Sequence, residues 1–366
     1  MQKCLTLGYH PQQWRTAVAV ALRKPSKPDY TQPCAYRLIT LLECIGKILE
    51  KIIARRLTFM VGYYELISGA QSGGKATTDA ILSFVHDIHT AWNHGKVTSA
   101  LTFDIKGYFD FVNHDRLLVE MQKRRIPLEY LKWTSSFLLE RKAAICVDGA
   151  RGEMTKVENG IPQGSPISPI LASFYSVGLL DLFKKNLNSH IQDPPLPDNP
   201  TITTLFMYVD DGKLTVSSKL LETNVKILSS AYRRVNQWLQ KAGLTLDKNK
   251  RELMYYTWRR LDGSPAIRLP EEDGSISTIP TSSTVRWLGV YFDRKLLFNK
   301  HVTKIASRAE AAIANMSMLA NTTQGLSHYY LRQLYKTYIL PIISYASVVW
   351  WTGKKQHIGA INKVQN

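Results

Sequence analysis

Three aspartates stand out by residue type and setting. Asp104 closes the apolar run Leu101-Thr102-Phe103-Asp104, and Asp210 and Asp211 are adjacent in Phe206-Met207-Tyr208-Val209-Asp210-Asp211-Gly212. A carboxylate at the end of a buried strand costs desolvation free energy unless a cation meets it. A divalent ion is the strongest such partner. Hard cations such as Mg²⁺ take carboxylate oxygens and keep substrate phosphates among their ligands. One aspartate from a strand and one from a hairpin turn beside it can bridge two ions about 4 Å apart, the geometry of in-line phosphoryl transfer. The same residues also have plainer readings. Asp-Asp-Gly is a good turn sequence, and Asp104 could cap a helix.

Three further segments carry matching chemistry. In Asp104-Ile105-Lys106-Gly107-Tyr108-Phe109-Asp110 an aromatic ring follows the first aspartate. In Asn159 to Pro169 the stretch Ile161-Pro162-Gln163-Gly164 forms a turn whose backbone N–H groups and Gln163 amide suit a nucleotide. The run Asp247-Lys248-Asn249-Lys250-Arg251 is basic.

The elements that must position these groups follow from patterning. Residues 98–104 alternate as a strand, with Leu101 and Phe103 on one face and Thr102 and Asp104 on the other. Residues 203–217 read as two short strands around the acidic turn. A helix is predicted over 44–57, with Ile45, Ile48, Leu49, Ile52, Ile53 and Leu57 on one stripe and Lys47, Lys51 and Arg55 opposite. Gly69 to Gly74 leads into a second helix over about 77–93. One helical segment is predicted over about 114–142, then a hairpin around Asp148-Gly149. A helix begins near Pro169, where Ser168 is a candidate cap. Residues 186–200 form a loop rich in Pro, Asn and Asp. A helix over about 219–242 stops at Gly243. A hairpin over about 251–280 surrounds Asp262-Gly263, and from 299 onward the pattern is helical and basic. The end at Asn366, inside a helical pattern, and the equally abrupt start suggest a fragment of a longer chain.

Composition narrows the partners. The 366 residues hold 47 Lys and Arg against 29 Asp and Glu, a formal charge of +18, and 45 % are hydrophobic. Wholesale disorder is excluded by that apolar content. The charge favours a polyanion, nucleic acid before an acidic membrane. Within 219–268 there are 11 Lys and Arg against 4 Asp and Glu, and Arg286, Arg294, Lys295, Lys300, Lys304 and Arg308 follow. Trp238, Trp258 and Trp287 lie among these charges; they read as core residues first and as base-stacking platforms second. Cys4, Cys34, Cys44 and Cys146 are scattered, against both a disulfide framework and a zinc site. The start carries no apolar signal region, and Tyr338 to Trp351 falls short of the roughly 18 apolar residues of a membrane span, so no membrane partner is expected.

Taken in order, these segments resemble the reverse transcriptase domain of non-LTR (LINE-type) retrotransposons. The resemblance runs over nearly the whole chain: Ala35–Leu42 with Gly46–Ile53 in the fingers, Thr102–Asp110, Gly160–Pro166, Tyr208–Asp211 and Gly243–Met254 in the palm, and Arg286–Val290 with Asp293 and His301 entering the thumb. It implies an α+β right-hand polymerase, with fingers at 1–97, a palm built on an antiparallel sheet at 98–285 interrupted by a fingers-like insertion, and a helical thumb from 286 to 366. It implies RNA-directed DNA polymerase activity: nucleotidyl transfer from deoxynucleoside triphosphates to a primer 3′-OH on an RNA template. The cofactor would be two Mg²⁺ ions, with Mn²⁺ able to stand in. The partners would be an RNA template, a DNA primer or target and the triphosphates, in an intracellular and nuclear setting.

Carried over by position, Asp104 and Asp210 would be metal ligands, with the Ile105 carbonyl completing one shell and Asp211 as a second turn carboxylate. Phe109 would be the gate that excludes a 2′-hydroxyl. Gln163 and Gly164 would border the incoming nucleotide, and Lys24 and Arg37 would hold its triphosphate. Lys250 would be the acid that protonates pyrophosphate, or one more phosphate-binding lysine. The chain departs from the family pattern at Leu38, at the loose segment Gly69–Ala76 and at Tyr108, whose bulk is expected to crowd the pocket and lower activity. An RNA-dependent RNA polymerase is a second reading, opposed by Tyr208-Val209 and Phe109. A catalytically inactive or maturase-like RNA-binding protein of the same fold is a third.

Overall fold

The structure is a computed structural model that describes residues 1–366 other than 26, 68–75, 185–201, 261–262, 272–273, 321–324 and 366. The Gly69–Gly74 stretch, the loop at 186–200 and the Asp262 turn therefore lie outside the described residues.

Two sheets organise the chain. After α1 (Gln2–Thr6), strands β1 (Thr16–Arg23) and β2 (Tyr36–Leu41) pair antiparallel. Helices α2 (Cys44–Tyr63) and α3 (Thr77–Asn93) precede the long β3 (Val97–Lys106). Then come α4 (His114–Lys123), α5 (Leu128–Leu138), β4 (Arg141–Val147) and β5 (Ala150–Val157). β4 joins β1 in parallel, so the first sheet has the order β2-β1-β4-β5 although its two halves are far apart in sequence.

The second sheet is central. Its strands are β6 (Ile202–Tyr208), β7 (Asp211–Ser218), β3, the short β8 (Thr245–Leu246) and β9 (Glu252–Tyr256). β6, β7 and β3 lie side by side, and both β8 and β9 pair with the far edge of β3. All pairings are antiparallel. Helices α6 (Ser168–Lys184) and α7 (Leu221–Lys241) cover this sheet. β3 is buried on both faces from Val97 to Phe103, so the alternation read from the sequence does not separate a wet face from a dry one.

Hairpins β10 (Ile267–Pro270)–β11 (Ile276–Ile279) and β12 (Thr284–Trp287)–β13 (Val290–Asp293) follow, then α8 (Asn299–Ser317) and shorter helices to Gln365. β9 does not form a hairpin with β10, as the sequence pattern suggests; it is drawn into the central sheet against Thr98–Thr102 of β3. None of the helices is long and apolar enough to cross a membrane among the described residues.

Several predicted elements appear with their limits, α3 and α7 among them. The single helix expected over 114–142 is instead α4, α5 and the start of β4. The break falls at Arg124–Pro127, where Arg125 adopts φ +58° and Pro127 precedes α5. α2 buries only half of the predicted stripe. Leu49, Ile53, Leu57 and Val61 are buried, while Ile45, Ile48 and Ile52 are exposed. The core contacts along α2 follow an i, i+4 row, and those three isoleucines fall to its side.

Candidate active site

The acidic turn is positioned by strand register. β6 and β7 are joined by Val209 and Asp210, and Tyr208 pairs with Asp211 across the turn. Val209 sits at φ +59°, a backbone state in which a β-branched residue is strained by about 1–3 kcal/mol. β7 pairs with β3 so that Asp104 lies directly opposite Asp211. Opposed residues of an antiparallel pair share a face, so two carboxylates meet side by side and repel. Gly212 follows because a Cβ there would come within 2.2 Å of the Phe103 ring.

Backbone bonds lock Asp210 to the same place. The Asp247 N–H donates to the Asp104 carbonyl at 2.8 Å, on the β8 side of β3. By alternation, the N–H and C=O of Ile105 point to the other side, toward the turn. The Ile105 N–H donates there to the Asp210 carbonyl at 3.2 Å.

Electrostatics register the crowding. Burial, and then the charge of Asp104, pushes the Asp210 carboxyl up, while Lys250 and Arg37 oppose the rise. Burial, and then the charges of Asp210 and Asp104, pushes Asp211 up to about 6. Lys250 answers these acids. Its Nζ lies 2.6 Å from Asp104 Oδ2 and 3.6 Å from Asp247 Oδ2. Burial works against the ammonium, but the Asp104 hydrogen bond and the surrounding carboxylates outweigh it and hold Lys250 above the ordinary lysine range. Of the basic run, Lys250 alone turns to the acids. Arg251 is buried against Glu271 at 2.6 Å and Lys248 reaches the same carboxylate at 3.5 Å.

Two clefts flank the turn. One, of about 290 Å³, is lined by Arg37, Phe109, Gln163, Gly164 and Asp210, together with Ser165, Ser168 and Pro169. The other, of about 400 Å³, is lined by Asp104, Asp211, Asn249, Lys250, Glu252, Arg286 and Trp287, with Thr102 and Phe103. Lys24 lines neither; its Nζ donates to the Cys34 carbonyl at 3.1 Å. Tyr108 does not crowd the cleft beside Phe109 either. It is buried in the core with its hydroxyl donating to the Ala172 carbonyl at 2.6 Å, because the turn at Gly107 sends successive rings in different directions.

The Gln163 loop is fastened rather than open. The N–H groups of Gly160, Ile161 and Ser165 donate to Val112, Phe109 and Pro162, and the Gln163 carbonyl accepts from Thr40 at 2.6 Å. Gly164 holds φ +114° with the Thr40 carbonyl oxygen 2.7 Å from where a Cβ would stand. The Ser168 hydroxyl donates to the Pro162 carbonyl at 2.7 Å instead of capping α6.

Two supports were not singled out from the sequence. Glu50 of α2 is buried and accepts the Ser165 hydroxyl, tying α2 to the Gln163 loop. Lys213 is buried beneath the acidic turn, with its Nζ 3.9 Å from the Phe84 ring centroid, 4.2 Å from Trp287 and 4.7 Å from Phe292. It has no hydrogen-bond partner among the described residues. A charge inside the apolar run of β7 was the available signal.

These features define a polymerase fold of the reverse transcriptase type. Residues 22–292 match the family model described as reverse transcriptase (RNA-dependent DNA polymerase), and the chain belongs to that family. It is 27 % identical over 365 residues to the probable RNA-directed DNA polymerase from transposon X-element of Drosophila melanogaster, covering 98 % of this chain and 38 % of the relative. It is 26 % identical to the RNA-directed DNA polymerase from mobile element jockey of the same organism, covering 99 % and 38 %. The chain thus spans little more than a third of the curated relatives it matches. Among solved structures, apo telomerase from Candida tropicalis superposes with a TM-score of 0.51 at 14 % identity over 97 % of this chain and 60 % of that one, a likeness of fold. The resemblance to non-LTR retrotransposon polymerases read from the ordered motifs holds.

Family membership implies a divalent-metal requirement, and the donor set fits one. Among the described residues no three His, Cys, Asp or Glu side chains enclose an ion by themselves. Mg²⁺ does not need such a cage, because it binds through one or two carboxylates and completes its shell with water and substrate phosphate. Here Asp104 and Asp211 stand opposed, both turn carboxyls are pushed up by burial and then by the neighbouring carboxylates, and a lysine ammonium occupies the Asp104 oxygen.

Proposed function

We propose that this chain is the polymerase portion of an RNA-directed DNA polymerase of a non-LTR retrotransposon. The reading rests on one observation: strand register sets Asp104 against Asp211, with Asp210 in the same turn, between a cleft bearing Arg37, Phe109 and Gln163 and a second bearing Lys250. The first cleft takes the deoxynucleoside triphosphate, and the primer end meets it at the acids between the two clefts.

In this reading Arg37 grips the triphosphate bidentately, and Lys24 joins it only by leaving the Cys34 carbonyl. Phe109 stacks under the sugar and fills the space of a 2′-hydroxyl. Gln163 and Gly164 hold the base–sugar edge from a loop already fixed to β2. Asp104 and Asp210, with the Ile105 carbonyl and Asp211, would hold two Mg²⁺ ions, for which Mn²⁺ would substitute. Bound there, the ions supply activation of the 3′-hydroxyl and charge stabilisation on the pyrophosphate. Lys250, held protonated by its carboxylate neighbours, donates a proton to the leaving pyrophosphate.

The fingers take 1–97 with the β4–β5 insertion, the palm 98–285 and the thumb 286–366. Packing modifies the first boundary: α3 sits on the central sheet, in one cluster with Phe206, Tyr256 and Trp287. An RNA template, a DNA primer and a nuclear setting complete the proposal. The catalytically inactive, maturase-like reading is not favoured. The relatives above are named polymerases, and all three acids stand in place.

Primer extension on an RNA template with Mg²⁺ and deoxynucleotides tests it. Wild type should extend, and Asp210→Asn should lose at least about 100-fold in rate. Extension by Asp210→Asn at the wild-type rate overturns the metal assignment.

A further inference from the structure

The polymerase reading leaves one aromatic, strongly basic surface unused. It lies at the far end of the central sheet from the acidic turn. Tyr256 of β9 pairs with Thr98 of β3, and Asp104 is six residues further along the same strand, about 20 Å away. Just beyond Tyr256 the chain runs Thr257-Trp258-Arg259-Arg260.

Trp258 is 56 % exposed, whereas Trp287 is 3 % exposed. Of the three tryptophans read among the basic residues, Trp258 is therefore the one placed to meet a base. The Lys295 ammonium lies 5.3 Å from the Trp258 ring centroid, and the Trp92 ring meets it edge-on at 6.0 Å. Arg259, Arg260 and Lys295 are exposed. Together with Arg294, they make no ion pair among the described residues.

The surface is built, not loose. The Trp92 Nε1–H donates to the Tyr256 carbonyl at 3.0 Å. Thr257 and Arg294 are cross-bonded, through the Thr257 N–H to the Arg294 carbonyl at 3.1 Å and through Arg294 Nε to the Thr257 carbonyl at 3.3 Å. The Arg259 guanidinium donates to the carbonyls of Gly95 and Lys219. The loop is thus fastened to the ends of α3, β7 and β13, so a ligand meets a preorganised platform.

We propose that this platform is a second binding site for single-stranded polynucleotide, separate from the polymerase clefts. A base stacks on the exposed indole, and Arg260 and Lys295 meet the phosphates on either side. An acidic peptide would use the cations and leave the indole idle; a single strand uses both. The shared chemistry fits an RNA strand outside the hybrid or a displaced DNA strand. The site does not depend on the catalytic assignments.

The test uses the 366-residue chain, with the clefts filled by excess short primer–template duplex. Homopolymers of about 20 uridines or 20 thymidines serve as probes, one set carrying photoreactive bases. Crosslinks should map to the peptide containing Trp258. Trp258→Ala should weaken binding about tenfold and Trp258→Phe should retain most of it. Arg260→Gln with Lys295→Gln should lower the slope of log affinity against log salt by about 1.4. Extension on the short duplex should be unchanged in all three. Preference for the uridine or the thymidine probe identifies an RNA or DNA source, and equal binding identifies a strand site indifferent to the sugar. Crosslinks confined to the clefts with unaltered binding by Trp258→Ala overturn the proposal. Capture of a poly-glutamate peptide at Trp258 with no binding of either homopolymer overturns it as well, in favour of an acidic protein partner.

Discussion

Asp211 carries the clearest consequence of crowding acids into one turn. Its carboxyl is pushed from 3.8 up to about 6, so across that window the folded chain holds more proton than the unfolded chain. The Asp211 contribution to the stability of the metal-free protein therefore falls as pH rises from about 4 to about 6 and levels off above. Thermal unfolding in chelator should show this decline, and Asp211→Asn should flatten it; an unchanged slope in that variant would mean that other groups set it. Phe109 supplies a second residue-scale prediction. Its ring lines the cleft beside Asp210, so Phe109→Ala should raise ribonucleotide use at least about tenfold relative to deoxynucleotides, read as the ratio of the two kcat/KM values. Equal ratios in both proteins would remove the ring from substrate selection.

The β6–β7 hairpin decides at the element scale whether the acids meet at all. Its two-residue turn fixes which β7 residue faces Asp104, and a slip by one would swing Asp211 to the opposite face. Gly212 protects this register by letting the Phe103 ring lie against the backbone. Gly212→Ala should cost about 1–3 kcal/mol in denaturant titration, because a Cβ 2.2 Å from the ring forces either strand to move. A neutral result would show that Phe103 has room to turn aside. The Gln163 loop was legible as a motif, yet its support was not. Glu50 reaches Ser165 across 115 positions of sequence, and no local pattern marks that pairing.

At the scale of the whole molecule, the first sheet is tied to the Gln163 loop, where the Thr40 N–H of β2 donates to the Gln163 carbonyl. The first sheet assembles from β1–β2 and β4–β5, which flank the β3 strand of the second in sequence. The segment after the central sheet is attached by aromatic packing. Phe84 of α3 contacts Phe206, Tyr256, Trp287 and Phe292 edge-on at 5.4–5.8 Å between centroids. Phe84→Ala should destabilise the chain by about 3–5 kcal/mol and speed proteolysis within 284–298, read by unfolding and by mass mapping of early cuts. Cleavage elsewhere first, with 284–298 still protected, would mean that the hairpin holds without α3.

The residues proposed to carry chemistry were visible in the chain itself. Short ordered patterns such as Tyr208–Asp211 and Gly160–Pro166 are local, and a strand–turn–strand pattern places its own acids. Strand and helix limits followed wherever the periodicity was strong, as in α3, β3 and β7. Tertiary structure decided what depends on partners distant in sequence. It chose the buried stripe of α2, moved β9 to β3, turned Tyr108 into the core and left Trp258 in solvent. It also withdrew Lys248 and Arg251 from the acids toward Glu271. In each case the side chain or strand has two acceptable environments of similar local free energy. Packing against a surface made by remote residues selects between them.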